Sequence, residues 1–150
     1  MKPLKIYLDT SVYSALFDKR NKDRQELTKE FWNNIEKYEL YVSAINFEEI
    51  DGIINEEIKI QLKDLLNKAK ILEVNEEVKR LAEIYIKEGI VPEKYGSDAI
   101  HIALTTVYSL DILISWNFKH LVKRKTRIEV NLINSREGYK PIEIIAPPEL

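Results

Sequence analysis

The apolar positions of the chain change period several times, and each change marks a boundary. Lys5 to Leu8 is a short run, apolar after its first residue, that predicts a strand ending at Asp9. Thr10 to Phe17 then reads as a short helix, with Asp9 placed to cap it. After a polar turn over Asn21 to Arg24, Leu27, Phe31, Trp32 and Ile35 recur at helical spacing and predict an amphipathic helix. Leu40 to Ser43 gives a second strand. From Asn46 to about Lys68 the pattern is helical again, interrupted near Gly52, with Ile58, Leu62, Leu65 and Leu66 as the apolar stripe of its second part.

Ile71 to Val74 predicts a third strand, and Asn75 the cap of a helix that turns Val78, Leu81, Ala82 and Tyr85 inward and ends by Gly89. Pro92 to Gly96 reads as a loop. Ser97 is the expected N-cap of a helix from Asp98 to Tyr108, apolar on most of its surface and therefore central. Ile112 to Ile114 is a fourth strand. It leads into Ser115 to Leu121 and a basic stretch read as helical to about Ser135, before a last strand at Ile142 to Ile145.

Strands that alternate with helices of crossover length indicate an α/β protein: a three-layer α/β/α sandwich around a mostly parallel central sheet. No repeat, linker or low-complexity segment divides the chain, so residues 1–150 are expected to form a single domain. In such sheets ligands bind beyond the carboxyl ends of the strands, where Asp9 and Ser115 to Asn117 fall.

The composition narrows the chemistry. With 150 residues, 45% hydrophobic and 32% charged, the chain can bury a substantial core. It has no cysteine, which excludes disulfides, thiolate zinc sites and a cysteine nucleophile and fits a reducing compartment. The first apolar run is cut short by Asp9, and no later run is long enough to span a bilayer, so a cytoplasmic protein is expected. A net charge of −2 argues against a broadly basic nucleic-acid coat. Contact with nucleic acid would have to be local, and a cation held by carboxylates could supply it.

Three acids stand out by placement. Asp9 follows the first strand, Glu49 lies in a short helix after the second, and Asp98 opens the apolar helix. Each has an ordinary reading alone: a helix cap, a solvated face, a favourable dipole position. Together they fall at one edge of the expected sheet, and clustered carboxylates repel unless a cation neutralises them. Hard oxygen donors select Mg²⁺ or Mn²⁺, which suits phosphodiester hydrolysis by water.

YLDTSV, the acid in NFEEI, SDAIHIA and ILISWNFKHL, in that order, resemble the signatures of PIN-domain proteins. The closing IEIIAPPEL is similar to the prokaryotic branch that carries the SWNFKHL loop. The resemblance implies an α/β/α sandwich and divalent-metal-dependent cleavage of RNA, single-stranded or structured, leaving a 5′-phosphate. It also implies, for many prokaryotic members, a VapC-type toxin role with an antitoxin partner, and commonly a homodimer. Asp9 matches the first acid and Asp98 the third. The second normally precedes an apolar residue directly, which selects Glu49, before Ile50, over Glu48.

The chain departs from the family at a fourth acidic position, where it carries Asn117, with His120 nearby. An amide can orient water or contact a phosphate, but it adds no charge and ligates weakly, which weighs against a second tightly held metal. Ser11 and Ser115 are candidates to hydrogen-bond the acids, or else plain turn hydroxyls. His101, one turn beyond Asp98, reads as a semi-buried structural histidine rather than a general base, whereas His120 is a candidate to assist a leaving group. Trp116 reads as a core anchor ahead of a base-stacking residue, and the stripe of Leu27, Phe31 and Trp32 as core ahead of an antitoxin groove. Lys119, His120, Lys123, Arg124, Lys125 and Arg127 form the densest basic run, a phosphate track or a solvated face.

Two rivals follow. A dehalogenase-like phosphatase needs a second Asp two residues after the first, where this chain has Ser11. A PIN-like module that binds RNA or protein without cutting is the stronger alternative, and Asn117 is its main support.

Overall fold

The computed structural model describes residues 2–150 and shows five parallel strands in the order β3-β2-β1-β4-β5. The strands are β1 (Lys5–Leu8), β2 (Glu39–Ser43), β3 (Lys70–Leu72), β4 (Ile112–Ile114) and β5 (Glu143–Ile145). Seven α-helices connect them: α1 (Thr10–Ser14), α2 (Lys22–Asn33), α3 (Ala44–Asp51), α4 (Glu56–Leu66), α5 (Glu76–Lys87), α6 (Gly96–Val107) and α7 (Arg124–Arg136). The chain steps outward from β1 through β2 to β3, then crosses to β4 and β5 on the other side. Right-handed crossovers therefore put α1 to α4 on one face and α5 to α7 on the other, giving the α/β/α sandwich.

Burial follows from this. Ile6, Tyr7 and Leu8 of β1 and all three residues of β4 are buried, as central strands covered on both faces must be, while edge strand β3 leaves Ile71 exposed. On α5 the predicted stripe of Val78, Leu81, Ala82 and Tyr85 is buried and packs chiefly with α6. A buried Val or Leu contributes about 1.5–3 kcal/mol. Asn75 caps the helix by accepting from Val78 N–H, and Gly89, at φ 78°, ends it in the left-handed turn that glycine adopts without strain.

Several boundaries differ from the sequence reading. Ser97 is not an N-cap. A 3-10 turn over Glu93–Tyr95 runs directly into α6, so the helix starts at Gly96 and Ser97 lies inside its first turn. The basic stretch after Leu121 becomes helical only at Arg124, behind a turn bonded by the Asn117 side chain. Thr10 to Phe17 splits into α1 and a 3-10 segment, and α2 begins at Lys22, where a turn was expected.

Candidate functional site

The strand order reverses at β1, so the connections leaving β1 and β4 diverge and open a crevice at their carboxyl ends. Asp9 sits at its base. Its backbone is the N-cap of α1, but its side chain makes no cap bond. Instead Oδ2 accepts hydrogen bonds from the Ser11 and Ser115 hydroxyls, both at 2.7 Å. Those hydroxyls in turn accept the backbone N–H groups of Trp116 and Asn117, each at 2.9 Å. The β1–α1 turn and the loop after β4 are thus stitched together through one carboxylate oxygen.

Glu49 reaches the same place from α3, while Glu48 points to solvent. Glu49 Oε1 accepts from Thr10 Oγ1 and from His101 Nε2, both at 2.8 Å. His101 is fully buried on α6. Its Nε2 is also 3.5 Å from Asp9 Oδ1, and its Nδ1 is 2.7 Å from the Tyr7 hydroxyl. Tyr7 donates to Asn46 Oδ1, and Asn46 Nδ2 donates to Leu8 O. Ligand atoms of Asp9, Glu49 and His101 all lie within 4.8 Å of one another.

His101 is therefore a buried histidine, as the sequence suggested, but it is buried against the acids. Sequence reasoning also passed over Tyr7, Thr10, Ser43 and Asn46. The one available signal was Ser43 followed three residues later by Asn46, which forms a capping box at the start of α3.

Asp98 is the third residue of α6, one turn before His101, and only 8% exposed. Burial pushes its carboxyl up to about 6, the charges of Asp9 and Glu49 push the same way, and His101 and Asn117 oppose them. Burial also pushes Glu49 up, but the His101 bond and charge, with Thr10, hold it below the usual carboxylate range. For His101 burial disfavours the cation, yet Glu49, Asp9 and Asp98 together keep its pKa above the usual value. No Lys or Arg lies within ion-pairing distance of Asp9, Glu49 or Asp98 among the described residues. Negative charge is gathered here and matched by one imidazole only.

Asn117 is placed beside the acids in a particular orientation. Its Oδ1 accepts the backbone N–H groups of Lys119 and His120, at 3.1 and 3.0 Å, which leaves Nδ2 to donate to Asp98 Oδ2 at 3.3 Å. It offers the site a donor rather than an oxygen ligand. His120 makes no hydrogen bond to the acids; its ring stacks on Tyr95 at 4.3 Å, and burial with nearby Lys119 and Lys123 lowers its pKa. Trp116 is in the core, its indole donating to Thr28 Oγ1. Phe31 and Trp32 pack on the core as well, while Leu27 borders a cavity of about 380 Å³ shared with Tyr38, Pro147 and Leu150.

A parallel α/β/α sheet with a carboxylate cluster at its switch point defines the class: an α/β protein with a group of side chains that could hold a metal ion. The family model for the PIN domain matches residues 6–118, which include Asp9, Glu49, Asp98, His101 and Asn117, and the chain belongs to the PIN-domain family. Among solved structures it is similar to a toxin-antitoxin complex from Klebsiella pneumoniae, at 18% identity and TM-score 0.61 over 81% of this chain and 93% of that one. It is also similar to VapC20 of Mycobacterium tuberculosis, a Sarcin-Ricin loop cleaving toxin, at 14% identity and TM-score 0.58 over 72% and 86% of the two chains. VapBC-1 of nontypeable Haemophilus influenzae matches at 20% identity and TM-score 0.55 over 78% and 90%. Identities this low speak for the fold alone. No curated protein matches the chain in sequence. No helix among the described residues is long and apolar enough to cross a membrane.

Proposed function

We propose that this chain is a divalent-cation-dependent endoribonuclease acting as one single-domain unit, and that it serves as the toxin of a toxin-antitoxin pair. The observation that carries the reading is the acid cluster: ligand atoms of Asp9 and Glu49 lie with His101 within 4.8 Å of one another, no Lys or Arg pairs with Asp9, Glu49 or Asp98 among the described residues, and Asp98, pushed up to about 6 first by burial, also feels the charges of Asp9 and Glu49. Such a cluster is unfavourable without a cation. The donor set is mainly carboxylate oxygen, which suits Mg²⁺ or Mn²⁺.

Asp9, Glu49 and Asp98 would hold the cation. When bound, it would acidify a water and offset the charge of the scissile phosphate. His101 serves as a positioning residue: its Nε2–H fixes Glu49, and its Nδ1 is tied to Tyr7. Ser11 and Ser115 fix Asp9 and leave its Oδ1 open toward the cluster. Asn117 Nδ2 orients Asp98. The toxin role and an antitoxin partner rest on the family and on structural neighbours described as toxin-antitoxin complexes; a homodimer and a cytoplasmic location belong to the same reading.

The test is calorimetry with Mn²⁺ on the wild type, Asp9→Asn and Asp98→Asn, beside cleavage of single-stranded RNA and end analysis. Saturable binding removed by either substitution, with products bearing 5′-phosphates, is expected. Cleavage that survives both substitutions in folded protein would refute the assignment. A folded wild type that binds no Mn²⁺ would favour the noncatalytic binding module, whose specific support is that Asn117 has its oxygen engaged in a turn.

A further inference from the structure

Phe118 is the only exposed aromatic side chain among the described residues, at 49%, and it lies directly after Asn117, which touches Asp98. The loop that presents it is held on both sides. Trp116 is fixed by its backbone N–H to Ser11 and its indole to Thr28, and Asn117 by its backbone N–H to Ser115 and its amide to Asp98. The ring is thus held out by a pinned backbone one residue from the acid centre. Core packing gives no reason for a phenylalanine there.

Arg24 of α2 completes the arrangement. Its guanidinium carbon stands 5.0 Å from the Trp116 ring and 5.7 Å from the Phe118 ring, whose planes meet at 64°. No carboxylate lies within ion-pairing distance of this guanidinium among the described residues, in contrast to Arg20, Arg80 and Arg136. A half-exposed aromatic ring and a guanidinium without a carboxylate partner therefore lie beside the loop that contacts Asp98. The neighbours of Phe118 in the loop, Asn117 and Lys119, are polar, so the ring is a lone apolar contact rather than part of the stripe that a docking helix needs.

We propose that Phe118 and Arg24 form a nucleotide subsite, in which one unpaired base of single-stranded RNA stacks on Phe118 while Arg24 pairs with a phosphate of the same strand. This rests on the ribonuclease reading and adds to it a determinant of substrate form. A base within a duplex has no free face to offer the ring, so the subsite selects unpaired segments. Stacking of this kind tolerates any base, because every base has a π face. Trp116, which the sequence also offered as a stacking residue, serves as the buried wall behind Arg24.

The experiment uses the full chain in EDTA, so that no strand is cut, with a short single-stranded RNA carrying 2-aminopurine, whose fluorescence falls on stacking. Wild type, Phe118→Ala, Phe118→Leu, Phe118→Trp and Arg24→Ala are compared for quenching and for affinity by anisotropy. Phe118→Ala should lose the quenching and bind at least about fivefold more weakly, in line with the energy of one aromatic stack. Phe118→Trp should restore both, Phe118→Leu neither. Arg24→Ala should weaken binding and reduce its dependence on salt. Mn²⁺ binding, measured separately, should be the same in every variant, which separates failure of the subsite from failure of the metal reading. Unchanged quenching in Phe118→Ala overturns the proposal, and so does rescue by leucine, which would mark Phe118 as an apolar contact for a protein partner.

Discussion

His101 Nε2 stands 2.8 Å from Glu49 Oε1, and the same imidazole contacts Tyr7 of the central strand through its other nitrogen. One buried ring thereby ties the exposed acid of α3 to the middle of the sheet. Removing it should cost the Tyr7 hydroxyl one of its three partners, leaving Ser43 and Asn46, and open a hole beside Ala99, Ile102 and the other core residues of α6. His101→Ala is expected to cost about 2–4 kcal/mol in urea unfolding, from the cavity and the lost hydrogen bonds to Tyr7 and Glu49 together. Glu49→Gln, at a partly solvated position, should cost less than about 1 kcal/mol while weakening Mn²⁺ binding. Equal, small losses for both variants would show that His101 does not hold this corner together.

Proton binding should make the metal-free protein more stable in mild acid. Asp98 has a folded pKa of about 6, above its ordinary value of 3.8, so the folded state binds the proton more tightly than the unfolded chain does. Its ionised form is a penalty that grows as pH rises from about 4 to about 6, on the order of 3 kcal/mol at most. His101 works in the same sense. Its folded pKa is raised, so the stability it contributes is complete below its unfolded pKa and is lost as pH rises through the folded value. Glu49 is lowered and acts oppositely, but only as pH falls through the carboxylate range. Thermal unfolding in EDTA should therefore give a higher Tm at pH 5 than at pH 8. Mn²⁺ should reverse the order, since it competes with the protons and stabilises the folded state most where the acids are ionised. A flat profile in EDTA would mean that neither burial nor the neighbouring charges disfavour the ionised Asp98.

The positions of Asp9 and Asp98 were legible because a strand end and a helix start leave a local signature, and a parallel sheet collects such ends at one edge; Glu49, the sixth residue of α3, was singled out by the resemblance of NFEEI. What holds those acids was not legible. Tyr7 and His101 are 94 residues apart, and the neighbours of His101, Ile100 and Ile102, say that it is buried without saying against what. Ser97 looked like a cap because Ser before an acidic first turn usually is one; the preceding 3-10 turn, set by Tyr95 N–H donating to Pro92 O, moved the helix start upstream. Asn117 was read as a weak ligand by residue type, but the direction of its amide depends on the backbone N–H groups of Lys119 and His120, which only the folded loop reveals.

Ser109 carries φ 56° just after α6, in the left-handed position that Gly89 occupies after α5. The turn is closed by Leu110 N–H donating to Thr105 O, the same pattern as Ile90 N–H to Tyr85 O. A side chain there is strained, and glycine relieves it at some cost in unfolded-chain entropy. Ser109→Gly should stabilise the protein by about 0.5–1 kcal/mol in urea unfolding, with Mn²⁺ binding unchanged. A loss of stability would mean that the serine hydroxyl contributes more than the strain removes.

Asn117→Asp tests the departure from the family pattern directly. A carboxylate can keep the turn, because its Oδ1 still accepts from Lys119 and His120. At the other atom, however, the Asn117 donor to Asp98 becomes an oxygen facing an oxygen at about the same distance. Without metal the change adds a like charge to an already crowded cluster, so the Tm in EDTA should fall and the pKa of Asp98 should rise further. With Mn²⁺ the added oxygen becomes a potential ligand, and affinity should increase about tenfold, equivalent to about 1.4 kcal/mol. Asn117→Ala removes the turn and adds no charge, so it should lower stability without any gain in affinity. Calorimetry on the three proteins separates the cases. If the acid variant binds Mn²⁺ no more tightly than wild type, the amide edge of residue 117 does not face the cation, and this position acts on the loop alone.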